Sequence, residues 1–218
     1  MTGDEREPSE ADSDHGFPPG FFDRADLTSD ERFYRPDRFV THIDDGAIAA
    51  VGALYDELDV TGDVLDLMSS WISHFPNTPE RLVVLGMNES ELAANPQASS
   101  WVVHDLNERP VLPFADATFD DVVCCVSVDY LTRPIEVFRE VARVLRPGGA
   151  FVLTFSNRCF PTKAIRAWLA NDEPGRVEIV RQYFLRAGGF EAPVAQRRTP
   201  MASGGDPLYA VWARRGPA

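Results

Sequence analysis

Short apolar runs alternate along the chain with segments whose apolar residues recur every three or four positions. The apolar runs predict strands, and the recurring spacing predicts amphipathic helices. The predicted strands lie at residues 63–67, 81–87, 101–104, 119–128, 150–155, 190–197 and 208–214. The predicted helices lie at residues 44–58, 90–95, 134–145, 162–170 and 178–187.

The order of these elements predicts the fold class. Apolar strands that alternate with helices indicate a mostly parallel sheet with helices on both faces. The last two strands are joined by a loop rich in Gly and Pro, so we expect them to form an antiparallel hairpin at the C-terminus. The chain is therefore predicted to be an α/β protein with a seven-stranded sheet.

Three regions differ in composition. Residues 1–16 are acidic and poor in apolar residues, which is typical of a disordered tail. Residues 17–59 are predicted to be a cap or lid segment followed by a helix, and residues 60–218 the main domain. The aromatic and arginine-rich part of the cap, residues 17–41, either packs against the domain or forms a lid or pocket wall.

Charge narrows the classes of partner. The formal net charge is −13, and such a surface repels nucleic-acid phosphates and anionic membranes. Because the sequence lacks a basic leader and any apolar run of about 20 residues, we expect a soluble, cytoplasmic protein. Lys163 is the only lysine among 21 basic residues. Few lysines with many acids indicate a halophilic source, although a GC-rich genome would explain the arginine bias alone.

The cysteines and common ligand motifs exclude several kinds of site. Cys124, Cys125 and Cys159 have neither a disulfide pattern nor a metal spacing, so we expect buried free thiols and no metal. No Gly-x-Gly-x-x-Gly follows the first strand, and no Tyr-x-x-x-Lys occurs, which argues against a nicotinamide reductase. A P-loop, a nucleophile elbow and a His-x-x-x-His helix are absent as well.

One long pattern resembles a known family. Residues 112–120 read LPFADATFD, an apolar strand follows, and residues 140–149 read EVARVLRPGG. In order, spacing and residue type this is similar to the class I S-adenosylmethionine (SAM)-dependent methyltransferases with a type 11 domain. The resemblance covers about residues 60–214. It implies a Rossmann-like fold, SAM as the cofactor and in-line methyl transfer to a small-molecule or lipid-like acceptor.

The resemblance also implies positions for the cofactor. Asp66, at the end of the first strand, corresponds to a carboxylate near the methionine end of SAM, and the family has Gly-x-Gly directly after it. Asn88, with Glu89 as a substitute, stands where the family has an acid that accepts the ribose hydroxyls. Asp105 corresponds to the acceptor for the adenine amino group. The full set of implied cofactor residues is Asp66, Met68, Ser69, Ser70, Asn88, Asp105, Leu106 and Ser127.

The sequence does not identify a catalytic residue, because methyl transfer needs mainly positioning and desolvation of the acceptor. The candidates are His74, Tyr130 and His42. Candidate substrate-binding residues are Tyr34, Asn157 and Arg158. Arg158 together with Arg38 is a hypothetical site for an anionic acceptor.

Two alternatives stay open. The loop without glycine and Asn88 are also compatible with a degenerate methyltransferase fold that serves as a non-catalytic binding or scaffold subunit. A nucleic-acid methyltransferase is the third interpretation, although the acidic charge and the lack of an Asn-Pro-Pro-Tyr-like motif after the fourth strand count against it. We expect a small-molecule partner and neither nucleic acid nor membrane; the pattern does not resolve a monomer from a homodimer.

Overall fold

The computed structural model describes residues 15–200 and 204–217. The predicted acidic tail lies almost entirely outside these residues. The helices are α1 (Asp30–Tyr34), α2 (Asp45–Glu57), α3 (Glu89–Ala93), α4 (Pro134–Val144), α5 (Arg166–Ala170) and α6 (Glu173–Ala187). The strands are β1 (Asp63–Leu67), β2 (Arg81–Gly86), β3 (Ser100–Val103), β4 (Asp121–Cys125), β5 (Ala150–Phe155), β6 (Val194–Arg197) and β7 (Tyr209–Arg214).

The strands form one seven-stranded sheet in the order β3-β2-β1-β4-β5-β7-β6. Strands β1 to β5 are parallel, and β7 lies antiparallel between β5 and β6. The predicted fold class, a mostly parallel seven-stranded α/β sheet with a C-terminal antiparallel hairpin, is confirmed.

The core lies on both faces of the sheet, because successive strand residues point in opposite directions. On one face Leu65 and Leu67 of β1 belong to a cluster with apolar residues of α4 and α6. On the other face Val64 belongs to a cluster with Val51 and Leu54 of α2. Burial on both faces explains why the strands are apolar throughout.

Several boundaries differ from the predictions. The strand expected at 119–128 ends at Cys125, since Val126 has a positive φ of 47° and a short 3-10 helix follows. Helix α5 covers only the second half of the segment 162–170. Helix α6 begins at Glu173, earlier than predicted, because the Asp172 side chain accepts the N–H of Gly175 and caps it.

The segment before α2, residues 17–42, is called the N-terminal segment below. Its beginning packs against the domain: the Phe17 ring lies 5.8 Å from that of Tyr183 in α6. Its remainder contains α1, which the sequence analysis missed, and runs across the carboxyl ends of the strands. Within the described ranges no helix is both long and apolar enough to cross a membrane.

Candidate active site

A cavity of about 300 Å³ lies at the carboxyl ends of the central parallel strands. This is where ligands bind in open α/β sheets. Its walls follow four strands: residues 68–70 after β1, 85–88 at β2, 104–107 after β3 and 126–127 after β4. The remaining walls come from the N-terminal segment, from Glu91 and Tyr130, and from residues 158–160 after β5.

The structure brings most of the implied cofactor residues together. Those that line this one cavity are Met68, Ser69, Ser70, Asn88, Asp105, Leu106 and Ser127. Asp66 does not line it. Their roles as cofactor ligands remain predictions, but their convergence follows from the parallel sheet, which places the strand ends along one edge.

The loop after β1 keeps a glycine-like backbone although it contains no glycine. Met68 has a φ of 57°, in the left-handed region that favours glycine. The next residue crosses the end of β2 closely, since a Cβ at Gly86 would lie 2.3 Å from the Ser69 carbonyl oxygen. The close approach therefore uses a glycine on the neighbouring strand.

Asp66 lies beneath this loop, with 3% of its surface exposed. Its carboxylate accepts a hydrogen bond from the Ser69 hydroxyl at 2.6 Å, and Ser73 also bonds it. Burial outweighs these bonds and raises the pKa of Asp66 to about 7. Asp66 thus supports the loop from below, and its implied place beside the methionine end of SAM remains a prediction.

Asn88 lines the cavity, and its amide bonds protein groups at both its oxygen and its nitrogen. Its Oδ1 accepts the N–H of Glu91, which caps α3. Its Nδ2 donates to the carbonyls of Tyr34 and Arg35 at 3.0 and 3.2 Å, and to Asp37 Oδ1 at 3.0 Å. The side chain holds the N-terminal segment and caps α3, and its oxygen keeps one lone pair, so the ribose role implied for Asn88 remains a prediction.

A carboxylate, that of Glu91, faces the cavity next to Asn88. Glu91 is buried, accepts the Ser70 hydroxyl at Oε2 and accepts the backbone N–H of Arg38 at Oε1, each at 2.6 Å. Each oxygen keeps a further lone pair. Sequence reasoning suggested Glu89, which is exposed. The usable signal was the capping pattern, because Glu91 is the third residue of the helix that Asn88 caps.

Asp105 is available as an acceptor. Its Oδ1 accepts the N–H groups of Asn107 and Glu108 at 2.8 and 3.2 Å. In the described part of the chain, its Oδ2 has no protein donor. Sequence reasoning missed the neighbouring Asn107, whose amide bonds Asp30 and the carbonyl of Tyr130 and so joins the N-terminal segment to the strand ends.

The catalytic candidates separate into two groups. His42 and Tyr130 line the cavity, whereas His74 does not. His74 has a φ of 59° and its carbonyl faces Gly52 of α2, so the chain has passed to the opposite face of the sheet. Its Nδ1 is buried without a partner among the described residues. His74 is therefore a poor catalytic candidate.

The remaining cavity candidates differ in how far their side chains are engaged. Partial burial lowers the pKa of His42; Glu91 acts against this shift and Arg38 adds to it. The Tyr130 hydroxyl accepts the N–H of Phe160 at 2.8 Å, and burial raises its pKa far above the usual range. A neutral His42 is able to accept a proton near neutral pH.

The predicted substrate residues also diverge. Tyr34 lines the cavity, and Asn157 is exposed outside it. Arg158 lines the cavity, but its Nε donates to Asp206 at 2.7 Å. Because that carboxylate already balances its charge, Arg158 is a weaker anion ligand than its position in the sequence suggested.

Comparison with known proteins adds the family. Residues 72–153 match the family model described as a methyltransferase domain. A solved 1,6-didemethyltoxoflavin-N1-methyltransferase of Burkholderia thailandensis superposes with a TM-score of 0.57 over 79% of this chain and 80% of that one, at 18% identity. Residues 72–153 are thus similar to a methyltransferase domain, and the fold is that of the solved methyltransferase.

Other similar proteins are methyltransferases as well. The ubiquinone/menaquinone biosynthesis C-methyltransferase of Roseobacter denitrificans is 42% identical over 78 residues, which are 35% of this chain and 30% of that protein. The methyltransferase GfsG of Streptomyces halstedii is 30% identical over 112 residues, 46% of this chain and 40% of that protein. The chain thus matches less than half of the length of these relatives.

The residues that line the cavity have the acceptor and apolar groups that SAM requires. The adenine amino group and the ribose hydroxyls are donors, and Asp105 and Glu91 present carboxylate oxygens to the cavity. Met68, Met87 and Leu106 supply apolar walls around them. The left-handed turn at Met68 preserves the backbone path that allows a ligand to approach the loop closely.

Proposed function

We propose that the chain is a SAM-dependent methyltransferase whose acceptor is a small molecule or a lipid-like compound. The observation that carries this proposal is the pair of cavity carboxylates, Asp105 and Glu91, beside the left-handed loop after β1. When bound, SAM supplies a methyl group on a positively charged sulfur. The names of the similar proteins, which mention ubiquinone, menaquinone and 1,6-didemethyltoxoflavin, support a small or lipid-like acceptor.

The residues of the chain contribute mainly by positioning. Asp105 and Glu91 would orient the nucleoside, and Tyr34 and Phe160 would exclude water from the acceptor side. His42 would accept the acceptor's proton where that group is protonated, because its lowered pKa keeps the ring neutral.

The alternative, a non-catalytic binding or scaffold subunit, is favoured by one observation. The Asn88 amide, at the position implied for the ribose, donates to the N-terminal segment and accepts from α3, which leaves one lone pair on its oxygen. The two readings differ in whether Glu91 replaces Asn88 as the ribose acceptor.

Calorimetric titration of S-adenosylhomocysteine (SAH) and SAM separates them. We expect micromolar binding in molar KCl, weakened roughly tenfold by Glu91→Gln or Asp105→Asn, since each change removes a charged acceptor. Glu89→Gln is the matched control, because Glu89 is exposed and outside the cavity. A folded sample that binds neither compound would contradict the enzyme and support the scaffold.

We also propose that the protein works in the cytoplasm of an organism with concentrated salt. The net charge of −13 and the single, buried lysine support this proposal. Screening of acid repulsion should then raise the unfolding temperature as KCl increases to molar concentration. A temperature that stays constant or falls would contradict it.

A further inference from the structure

Arg38 lies among aromatic rings at the wall of the cavity. Its guanidinium carbon lies 4.8 Å from the ring centre of Phe33, 5.9 Å from that of Tyr34 and 5.4 Å from that of Phe160. Arg38, Tyr34 and Phe160 all line the cavity. Aromatic rings at these distances attract the cation and restrict the orientation of its planar group.

The charge of Arg38 is not balanced by an acid. Among the described residues, no carboxylate lies within ion-pair distance of its guanidinium, which donates only to the carbonyls of Phe33 and Pro36, at 2.8 and 3.2 Å. Glu91 is near, but it accepts the backbone N–H of Arg38. Three of the five guanidinium N–H groups therefore have no described protein acceptor.

The other arginine of the cavity provides the contrast. Arg158 donates to Asp206 at 2.7 Å, and its side chain is 63% exposed. In a protein with a net charge of −13, a partly buried arginine without an acid partner beside a cavity is a binding group for an anion. The surrounding rings favour an anion carried by a flat, apolar body.

We propose that Arg38 binds the carboxylate of an aromatic acceptor. The proposal rests on the methyltransferase function, because it names the substrate class of that same cavity. The free N–H groups form a planar fork that matches a carboxylate, and the Tyr34 and Phe160 rings contact the aromatic body. The methionine part of the cofactor also carries a carboxylate, which the Arg38 guanidinium would bind by the same hydrogen bonds.

Binding of two probes to SAH-saturated protein in molar KCl tests the acceptor. The probes are 4-hydroxybenzoate and its neutral counterpart 4-hydroxybenzamide, measured by calorimetry. We expect a preference of about tenfold or more for the carboxylate, because hydrogen bonds to charged groups are the stronger ones. Arg38→Gln should remove the preference, and Arg38→Lys should reduce it, since a lysine keeps the charge but not the fork.

The matched control is Arg35→Gln, because Arg35 is exposed on the same segment and lies outside the cavity. It should leave the preference unchanged. An equal affinity of the wild-type protein for both probes, or a preference that survives Arg38→Gln, would overturn the proposal.

Titrations with SAH and 5′-methylthioadenosine distinguish the carboxylate of the acceptor from that of the cofactor. The latter compound lacks the methionine carboxylate. If Arg38 serves the acceptor, Arg38→Gln binds SAH as tightly as wild type, which also verifies that the cavity is intact. A tenfold loss for SAH, but not for methylthioadenosine, would assign Arg38 to the cofactor and overturn the acceptor. If SAH does not bind, the two probes are titrated without it, and an Arg38-dependent preference would then refute the methyltransferase function alone.

Discussion

The sheet and the N-terminal segment are held in opposite ways. The sheet is buried between two apolar clusters, and strands β1, β2, β4, β5 and β7 contribute side chains to both. From Arg24 onward, the segment is attached mostly by polar groups at the strand ends: Asn88 bonds the 34–37 stretch, Asn107 bonds Asp30, and Lys163 bonds the 26–30 stretch. Apolar burial is non-directional, whereas each of these bonds needs one partner in one place.

The difference explains the altered family positions. Asn88, for which the resemblance implies a ribose contact, bonds the segment, and Glu91 lines the cavity beside it. A side chain at an implied ligand position therefore also holds the wall of the cavity. The wall and the binding site are therefore coupled, and a change in one should be measurable in the other.

The largest effect is expected from Lys163→Met, which tests whether buried polar groups hold the N-terminal segment. Lys163 is fully buried and bonds the Thr28 carbonyl, and its Nζ lies 3.1 Å from Asp30 Oδ1. Asp30 keeps its pair with Arg24 at 2.8 Å, so the change removes mainly the charged hydrogen bonds of Lys163 to the Thr28 carbonyl and to Asp30, which costs about 2–3 kcal/mol. We expect a loss of this size in the free energy of unfolding, measured by urea denaturation, and faster amide exchange in residues 24–42.

Arg35→Met is the matched control for this prediction. The Arg35–Glu31 pair is exposed at 75% and 78%, so its removal should cost less than about 1 kcal/mol. If the two variants lose the same stability, the segment is not held by its buried polar groups and the contrast with the sheet is wrong.

Asp66 tests whether a polar group inside the sheet behaves as burial requires. Its pKa is about 7 in the native state, against an ordinary value of 3.8. The native protein therefore binds more protons than the unfolded chain between these values, and the contribution of Asp66 falls as pH rises through this window. The slope is at most about 1.4 kcal/mol per pH unit.

Asp66→Asn should remove this dependence. Denaturation of both proteins between about pH 5 and 8 should give a stability difference that shifts in favour of the variant up to about pH 7 and then levels off. The comparison uses the difference because Asp129, also buried with a pKa of about 7, is present in both. Parallel curves would mean that Asp66 is ionised throughout.

Asn88→Asp distinguishes the ribose contact that the resemblance implies from the bonds to the N-terminal segment that the structure shows. An acid here matches the family and would accept ribose hydroxyls. It cannot donate to the Tyr34 and Arg35 carbonyls, however, and it faces Asp37. We expect a loss of about 1–3 kcal/mol in the protection of residues 30–42 from amide exchange, with no gain in SAH affinity.

Asn77→Asp adds the same charge at an exposed position and should change neither quantity. A variant at Asn88 that binds SAH more tightly, with the segment equally protected, would return the ribose role to this position.

The elements of the sheet could be predicted from the sequence because a strand that is buried on two faces appears as a continuous run of apolar residues. Strands β1 and β5 begin and end where predicted. The site could be predicted only as a set of strand ends. Whether Asn88 or Glu91 presents its oxygens to the cavity depends on bonds to residues some 50 positions away, and such bonds leave no periodic pattern.

The smallest effect concerns the loop between the two regions, where Met68 holds a φ of 57°. Met68→Gly and Met68→Ala both remove the side chain and differ only in the Cβ. In ordinary strands or helices alanine is the more stable by roughly 0.5–1 kcal/mol. In the left-handed region the order reverses, because a Cβ costs about 1–2 kcal/mol there.

We therefore expect Met68→Gly to be the more stable variant by about 1 kcal/mol in urea denaturation, and to bind SAH at least as tightly. The control is Ala142→Gly within α4, where the wild-type alanine should be the more stable of the two residues. If Met68→Ala were more stable than Met68→Gly, the loop would have to relax out of its left-handed turn. The glycine-like path would then not be built into this chain, and the fit of the loop to a nucleoside cofactor would lose its structural basis.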